Sequence, residues 1–326
     1  MGQSERLIEI WRGDFLESQH RGHAVVVDTG GEVVAAWGDP EAVILPRSAC
    51  KMIQALPLIE SGAADAAGLS SAHLALACAS HQGAAVHTDM VTGWLAELGL
   101  SDDDLRCGVW RPHDPAAKVD LIKTDNSPCQ YHNECSGKHT GFLTLNKHLG
   151  GAAEYVEIDH PVQRACLEAI ERMTGVVSPA HGIDGCAAPN FATTVTGLAR
   201  AMAGYAAASD MSAAGRLRDA MRSHPELVGG DNKATTELMR ALDGAAAIKS
   251  GAEGVSVAML PEKGLGIALK MEDGAERASD AAITALLVRF GGLDASHPKA
   301  LRSLGGEMLN RRRQPIGMIR AAPGFC

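Results

Sequence analysis

The sequence has few aromatic side chains and no strongly basic segment. Tryptophan, tyrosine and phenylalanine make up 4% of the 326 residues, and the formal net charge is −9. Nucleic acids and anionic membrane surfaces are bound through clusters of Lys and Arg, so this charge balance argues against both as partners. The short basic run Arg311–Arg313 is predicted to be a solvated surface.

Long apolar stretches are also missing. No window approaches the roughly 18 to 20 apolar residues that a membrane-spanning helix needs. The first residues mix charged and apolar side chains where a secretory signal has a continuous apolar run. We therefore expect a cytoplasmic protein. Its hydrophobic content of 46% is sufficient for a sizeable core.

The eight cysteines include no C-x-x-C pair. In a reducing compartment we expect buried thiols, metal ligands or reactive groups, and no disulfide framework. Three lie in apolar segments and are predicted to be core residues, namely Cys50, Cys78 and Cys166. Three others lie in polar stretches rich in Gly, His and Asn, namely Cys129, Cys135 and Cys186.

Strand-like segments occur near both ends of the chain, and helical periodicity dominates between them. Residues 23–38 predict a hairpin around a Thr-Gly-Gly turn, and residues 254–260 and 264–270 predict a second one. Residues 107–141 are mostly polar and show little periodicity, which is typical of a functional loop region.

This order predicts a mixed α/β (α+β) fold in one domain, residues 1–326. An antiparallel sheet is expected from about residues 8–40 and 245–326, with helices packed on it. Residues 41–244 are expected to form a helical insert.

The tetrapeptide Ser48-Ala-Cys-Lys51 heads an apolar helical segment. Side chains three residues apart on a helix lie on one face, so a lysine amine there could activate a serine hydroxyl as a nucleophile. S-x-x-K alone is common, and a helix start with a solvated lysine explains it equally well.

A second motif favours the catalytic interpretation. Lys249-Ser250-Gly251 lies on a predicted strand about two hundred residues later. The serine acyl-transfer signature is S-x-x-K, then S-D-N, then K-T-G, and K-S-G resembles its third element. S-D-N is absent, and Ser80 in ASHQG is the best substitute. The order of strands and helical insert is also that of penicillin-recognising enzymes and serine-type glutaminases.

Two polar stretches are dense in potential metal ligands. They are Tyr131–Phe142 (YHNECSGKHTGF) and His181–Ala192 (HGIDGCAAPNFA). Thiolates and imidazoles suit Zn²⁺, but the spacing matches no zinc finger or ribbon. A pair of substrate-binding loops is the alternative.

Four segments together resemble the thermolabile, Rhizobium-type L-asparaginases, the asparaginase II family. They are PRSACKMIQALPLI, ALACASHQG, NECSGKHTGFL and HGIDGCAAPNFA, and the resemblance covers about residues 8 to 320. It implies a fold like that of serine β-lactamases, penicillin-binding proteins and glutaminases. It also implies a homodimer.

The resemblance implies roles for particular residues. Ser48 would be the nucleophile and Lys51 its activating amine, with Ser80 paired to a later lysine. We place that lysine at Lys249 and regard Lys263, in the PEKG turn, as less favoured because a turn tip points away from a sheet-edge cleft.

The family's zinc ion is bound by two cysteines and a lysine. The matching positions are Cys135, Lys138 and Cys186, with one ion per chain that we do not expect to be strictly essential. Candidate substrate-binding residues are Arg47, as a carboxylate clamp, together with His81, His139 and Asp184.

The predicted activity is hydrolysis of L-asparagine to L-aspartate and ammonia by a Ser-Lys activated serine. A glutaminase-type amidohydrolase is the alternative within the enzyme class, since one methylene gives only modest discrimination. A non-catalytic protein that binds zinc or an amino acid on the same fold is the alternative outside it.

Overall fold

The computed structural model describes residues 2–326 and is built around one antiparallel sheet. The strands are β1 (Glu5–Arg12), β2 (Phe15–Asp28), β3 (Val33–Trp37), β4 (Val43–Ile44), β5 (His181–Ile183), β6 (Pro189–Phe191), β7 (Thr193–Thr194), β8 (Ala247–Gly251), β9 (Val255–Leu260), β10 (Leu265–Met271), β11 (Glu307–Leu309) and β12 (Pro315–Ala321). The eight-stranded sheet has the order β11-β12-β1-β2-β10-β9-β8, with β3 paired to β2. The predicted sheet of N- and C-terminal strands is confirmed.

The helices lie mainly between β4 and β8. They are α1 (Lys51–Gln54), α2 (Leu56–Glu60), α3 (Ala63–Ala66), α4 (Ser71–Ala77), α5 (Ala85–Glu97), α6 (Pro115–Lys123), α7 (Ser136–Leu149), α8 (Pro161–Thr174), α9 (Val195–Ala207), α10 (Ala213–Ser223), α11 (Pro225–Gly229), α12 (Ala234–Ala241), α13 (Glu276–Leu286) and α14 (Pro298–Ser303). Helices α9 and α13 pack directly on the sheet. Among the described residues, no helix is both long and apolar enough to cross a membrane.

The long strand β2 links the two parts of the sheet. Its first half pairs with β1, and its second half pairs with β10 on one side and β3 on the other. The segment Ala24–Val27 is fully buried, because the sheet is covered where helices pack on it. This explains the continuous apolar run in a strand that otherwise alternates.

The edge strand β8 meets the segment that follows β4. A 3₁₀ turn, Arg47–Cys50, precedes α1 and packs against β8. A Cβ atom at Gly251 would lie 2.8 Å from the Pro46 carbonyl oxygen and 2.9 Å from the Ala49 nitrogen. The glycine of the K-S-G motif thus allows β8 to approach the start of the S-x-x-K segment.

Two expectations about helices are corrected by the structure. The apolar segment headed by Ser48, predicted to be helical, is divided into the 3₁₀ turn, α1 and α2, because Pro57 cannot continue the hydrogen-bond ladder of α1. The stretch 107–141 contains α6 and the first turns of α7. Residues Ser136–Asn146 of α7 are buried on all sides, and such a helix has no amphipathic pattern to detect.

Helix α7 lies unusually close to α4. A Cβ atom at Gly137 would lie 2.5 Å from the Leu76 carbonyl oxygen, whereas at Gly93, exposed in α5, it would meet nothing within 4 Å. We expect Gly137→Ala to lower the free energy of unfolding by about 1 to 3 kcal/mol through overpacking. Gly93→Ala should raise it by about 0.5 to 1 kcal/mol.

Denaturant midpoints of the two variants measure this difference. Equal midpoints would show that α7 can move away from α4 without cost.

Candidate active site

A cleft of about 410 Å³ lies between the edge of β8 and the helical part of the chain. Its walls come from the 3₁₀ turn, the loop after α4, the segment before α7 and the turn between β5 and β6. Five of the predicted catalytic and metal-binding residues line this cleft, namely Ser48, Ser80, Cys135, Cys186 and Lys249. The tertiary structure therefore brings together residues that are up to two hundred positions apart.

Ser80 is held between two buried lysine amines. Its hydroxyl oxygen accepts hydrogen bonds from Lys249 Nζ at 2.8 Å and from Lys51 Nζ at 3.0 Å. The backbone N–H of Ser80 donates to the Val228 carbonyl at 2.9 Å, which fixes the loop after α4. The pairing of Ser80 with a lysine of the K-S-G strand is thus seen directly.

Lys51 makes different contacts from those expected. Its amine donates to the Ala79 carbonyl at 2.5 Å, to Ser80 and to Cys135 Sγ at 3.1 Å, and within residues 2–326 it has no hydrogen bond to Ser48. Three acceptors match the three donors of an ammonium group. Ser48 is half-buried and lies at the cleft wall.

Lys249, and not Lys263, is the lysine that reaches the cleft. Lys263 is exposed in the turn between β9 and β10, whereas Lys249 is 1% exposed and also donates to the Ser250 carbonyl at 2.7 Å. Burial and the positive charge of Lys51 lower the pKa of Lys249 to about 7. Its amine is therefore substantially neutral near neutral pH.

Arg47 and Asp184 form an ion pair at the cleft wall. Asp184 Oδ1 lies 2.9 Å from Arg47 Nε and 2.7 Å from Arg47 Nη2, and both nitrogens donate to it. Asn190 supports both residues, since its side chain accepts from the Arg47 backbone N–H and donates to Asp184. Arg47 has a φ of 51°, a left-handed conformation that costs free energy in a non-glycine residue and is common at functional sites.

The three predicted zinc ligands converge beside this ion pair. Lys138 Nζ donates to Cys186 Sγ at 3.1 Å, while Cys135 immediately precedes α7. A hydrogen bond from Cys135 and the Lys138 ammonium lower the pKa of Cys186, although its burial opposes this. Two cysteines and a lysine in contact offer three donors that would fit zinc once the thiols are ionised and the Lys138 ammonium has lost its proton.

No group of three or more His, Cys, Asp and Glu side chains suited to a metal occurs in the described part of the chain. The predicted set reaches three donors only through Lys138. The buried Nε2 of His139 has no hydrogen-bond partner within residues 2–326. This nitrogen is a further potential donor near the two thiols.

The two histidines predicted to contact substrate differ in their position relative to the cleft. His139 is fully buried behind the cleft, where Nδ1 bonds Tyr155 and burial lowers its pKa to about 4. His81 lines the cleft, but its ring nitrogens bond Ser136 Oγ and the Gly83 N–H. Both ring nitrogens of His81 are therefore hydrogen-bonded, and the substrate contacts of the two histidines stay predictions.

Other polar residues of the cleft were not predicted. Thr235, in α12, donates to Ser250 Oγ at 3.1 Å, and Glu134 lies next to Cys135. Glu134 and Asn190 lie inside the two polar motifs that the sequence analysis identifies, so their position in the sequence could have marked them as site residues. No sequence pattern marks Thr235, which is brought to the cleft by the packing of α12 on β8.

Known proteins that are similar to the chain include two solved structures. One is a β-lactamase from Mycobacterium bovis, with 16% identity, a TM-score of 0.46, and coverage of 82% of this chain and 94% of that chain. The other is an octameric penicillin-binding protein homologue from Pyrococcus abyssi, with 13% identity, a TM-score of 0.36, and coverage of 82% and 73%. None of the curated proteins matches significantly.

A family model described as L-asparaginase II matches residues 8–321, which is nearly the whole chain. The match confirms the resemblance carried by the four sequence segments and the predicted enzyme class, an amidohydrolase of the L-asparaginase type. The chain belongs to the L-asparaginase II family.

Proposed function

We propose that the protein hydrolyses the side-chain amide of L-asparagine through an acyl-enzyme on Ser48. The observation that carries the mechanism is the Ser80 hydroxyl held by two buried lysine amines in the cleft that contains Ser48. A serine hydroxyl becomes a useful nucleophile only when a base accepts its proton. This array offers such a base, and the family supplies the substrate class.

The proton route begins at Lys249, whose amine is neutral above pH about 7. Lys249 accepts the proton of Ser80, and Ser80 accepts one from the Lys51 ammonium. Lys51 is then neutral and can accept the proton of Ser48 as its oxygen attacks the amide carbon. In this scheme Lys51 keeps its predicted role, and Lys249 sets the pH at which it acts.

The tetrahedral intermediate carries a negative oxygen that needs N–H donors. The Ser48 amide is one candidate, and β8 supplies others because an edge strand leaves backbone N–H groups without a strand partner. The leaving ammonia takes a proton back from Ser80. Water then hydrolyses the acyl-enzyme by the same groups in reverse order.

Arg47 is proposed to bind the α-carboxylate of the substrate. Guanidinium has five N–H donors in a fixed fork, and the Asp184 pair leaves several of them unused. Asp184 acts by holding Arg47 in its strained conformation.

The ligands that would hold zinc are Cys135, Cys186 and Lys138. A bound ion would add positive charge at the cleft wall and keep both thiols and the start of α7 in place. Lys51 donates to Cys135, so the metal-binding residues and the proton route share one hydrogen bond. The predicted homodimer and cytoplasmic location stay predictions.

Removing the nucleophile tests the reaction itself. Ser48→Ala should lower the rate of ammonia release from L-asparagine by about a thousandfold or more, because no acyl-enzyme can form. Ser61→Ala, at an exposed serine outside the cleft, should keep the wild-type rate.

Glutamine is assayed in parallel as the longer amide. No release from either amide by the wild type would refute the proposal, and full activity of Ser48→Ala would remove Ser48 from it.

The pH profile tests the neutral amine of Lys249. A base with a lowered pKa of about 7 is protonated and inactive below that pH, so kcat/KM should rise with pH and level off above about 7. Lys249→Arg keeps the positive charge but cannot be deprotonated, and should cost about 100-fold or more. Lys263→Arg in the exposed turn should leave rate and profile unchanged; equal losses in both variants would contradict the assignment.

Zinc binding is measured by the metal content of the purified protein. Cys186→Ala should lose bound zinc, because it removes one of three donors, whereas Cys166→Ala in α8 should retain it. The wild type treated with a chelator should keep residual activity at saturating L-asparagine. A chelated enzyme without any activity would show that the ion is essential.

A further inference from the structure

L-Asparagine carries an α-ammonium group that the contacts described so far leave without a partner. Only the α-carbon and one methylene separate this group from the reacting amide carbonyl. It must therefore enter the cleft close to Ser48 and Ser80. A charged group taken from water into a cleft is stabilised by an opposite charge, and for an ammonium group a carboxylate supplies both that charge and strong hydrogen-bond acceptors.

Most carboxylates of the cleft are already engaged. Asp184 accepts from two nitrogens of Arg47, from Asn190 and from the Gly185 N–H, which uses the lone pairs of a carboxylate. Glu276 pairs with Lys233 at 3.5 Å. Asp280 lies beside Glu276, and burial raises its pKa to about 7, so that only part of it carries a negative charge near neutral pH.

Glu134 lines the cleft beside Ser80 and Cys135, and its carboxylate has no permanently charged partner among the described residues, since its ion-pair contact is to a histidine. Its backbone carbonyl accepts a hydrogen bond from His81 N–H at 3.1 Å, which ties it to the residue after Ser80. Its side chain makes no hydrogen bond within residues 2–326, and its only ion-pair contact there is to His113 Nε2 at 3.6 Å. The negative charge of Glu134 is near enough to raise the pKa of Lys249, partly offsetting burial.

We propose that Glu134 binds the α-ammonium group of the substrate and thereby selects α-amino acids over amides that lack the amino group. The assignment rests on the proposed function. Arg47 would then bind the α-carboxylate and Glu134 the α-ammonium group. The two charged substituents of the α-carbon are each held by a residue of opposite charge, while the side-chain amide reaches Ser48. The segment before α7 thus supplies both the thiol of Cys135 and the Glu134 carboxylate that binds the substrate.

The remaining rival is Glu253, which follows β8 and is exposed at another part of the cleft. Its charge acts on Arg47, whereas that of Glu134 acts on Lys249. Glu253→Gln is therefore the matched variant for Glu134→Gln, since each change replaces a cleft carboxylate by an amide of the same size.

The experiment compares L-asparagine with succinamate, which has the same amide and carboxylate but no amino group. Glu134→Gln should lower kcat/KM for L-asparagine by about 10- to 100-fold, the value of a hydrogen bond to a charged group. It should leave kcat/KM for succinamate unchanged, and Glu253→Gln should change neither substrate.

Equal losses of Glu134→Gln on both substrates would overturn the assignment, because they would indicate a structural defect. A selective loss on L-asparagine in Glu253→Gln would assign the ammonium group to Glu253 and would also overturn the proposal.

A binding experiment makes the same comparison without turnover. The affinities of the same variants for L-aspartate and for succinate, which lacks the amino group, are measured by calorimetry. If the wild type releases no ammonia from L-asparagine, the proposed function fails, while selective loss of L-aspartate binding in Glu134→Gln still decides the role of Glu134.

Discussion

The structure of the cleft depends on burying two lysine amines around one serine hydroxyl. Two ammonium groups cannot share a site of low dielectric without a large cost, so one of them is driven toward its neutral form. Lys51 has three acceptors and Lys249 has two, counting Ser80 in each set. This difference assigns the charge to Lys51 and the free electron pair to Lys249.

The same electrostatic argument extends to the thiols. Lys138 and Lys51 each donate to a cysteine sulfur, so the positive charges buried at the back of the cleft are opposed by at least one thiolate. A thiolate that compensates a buried lysine is also a metal ligand. The charge balance and the proposed zinc site therefore both depend on placing Cys135 and Cys186 together.

Much of the fold could be predicted from local patterns. Helix α8 begins at Pro161 and ends at Thr174, where local signals mark both ends, because His160 caps it and Gly175 takes the left-handed conformation that stops it. Helix α7 could not be bounded in the same way. It is buried on all sides, and its glycine at 137 serves contact with α4, so neither periodicity nor propensity identifies it.

The sequence by itself determined the candidates for the chemistry, which are two serine-lysine motifs and a cysteine-lysine set. It also determined the sheet from both ends of the chain, because strand periodicity is a local property. Only the tertiary structure decided that Lys249 pairs with Ser80, that His139 lies behind the cleft, and that Lys51 bonds Ser80. Those facts depend on which side chains converge after packing and on how strongly burial alters their charge, and neither is encoded in local spacing.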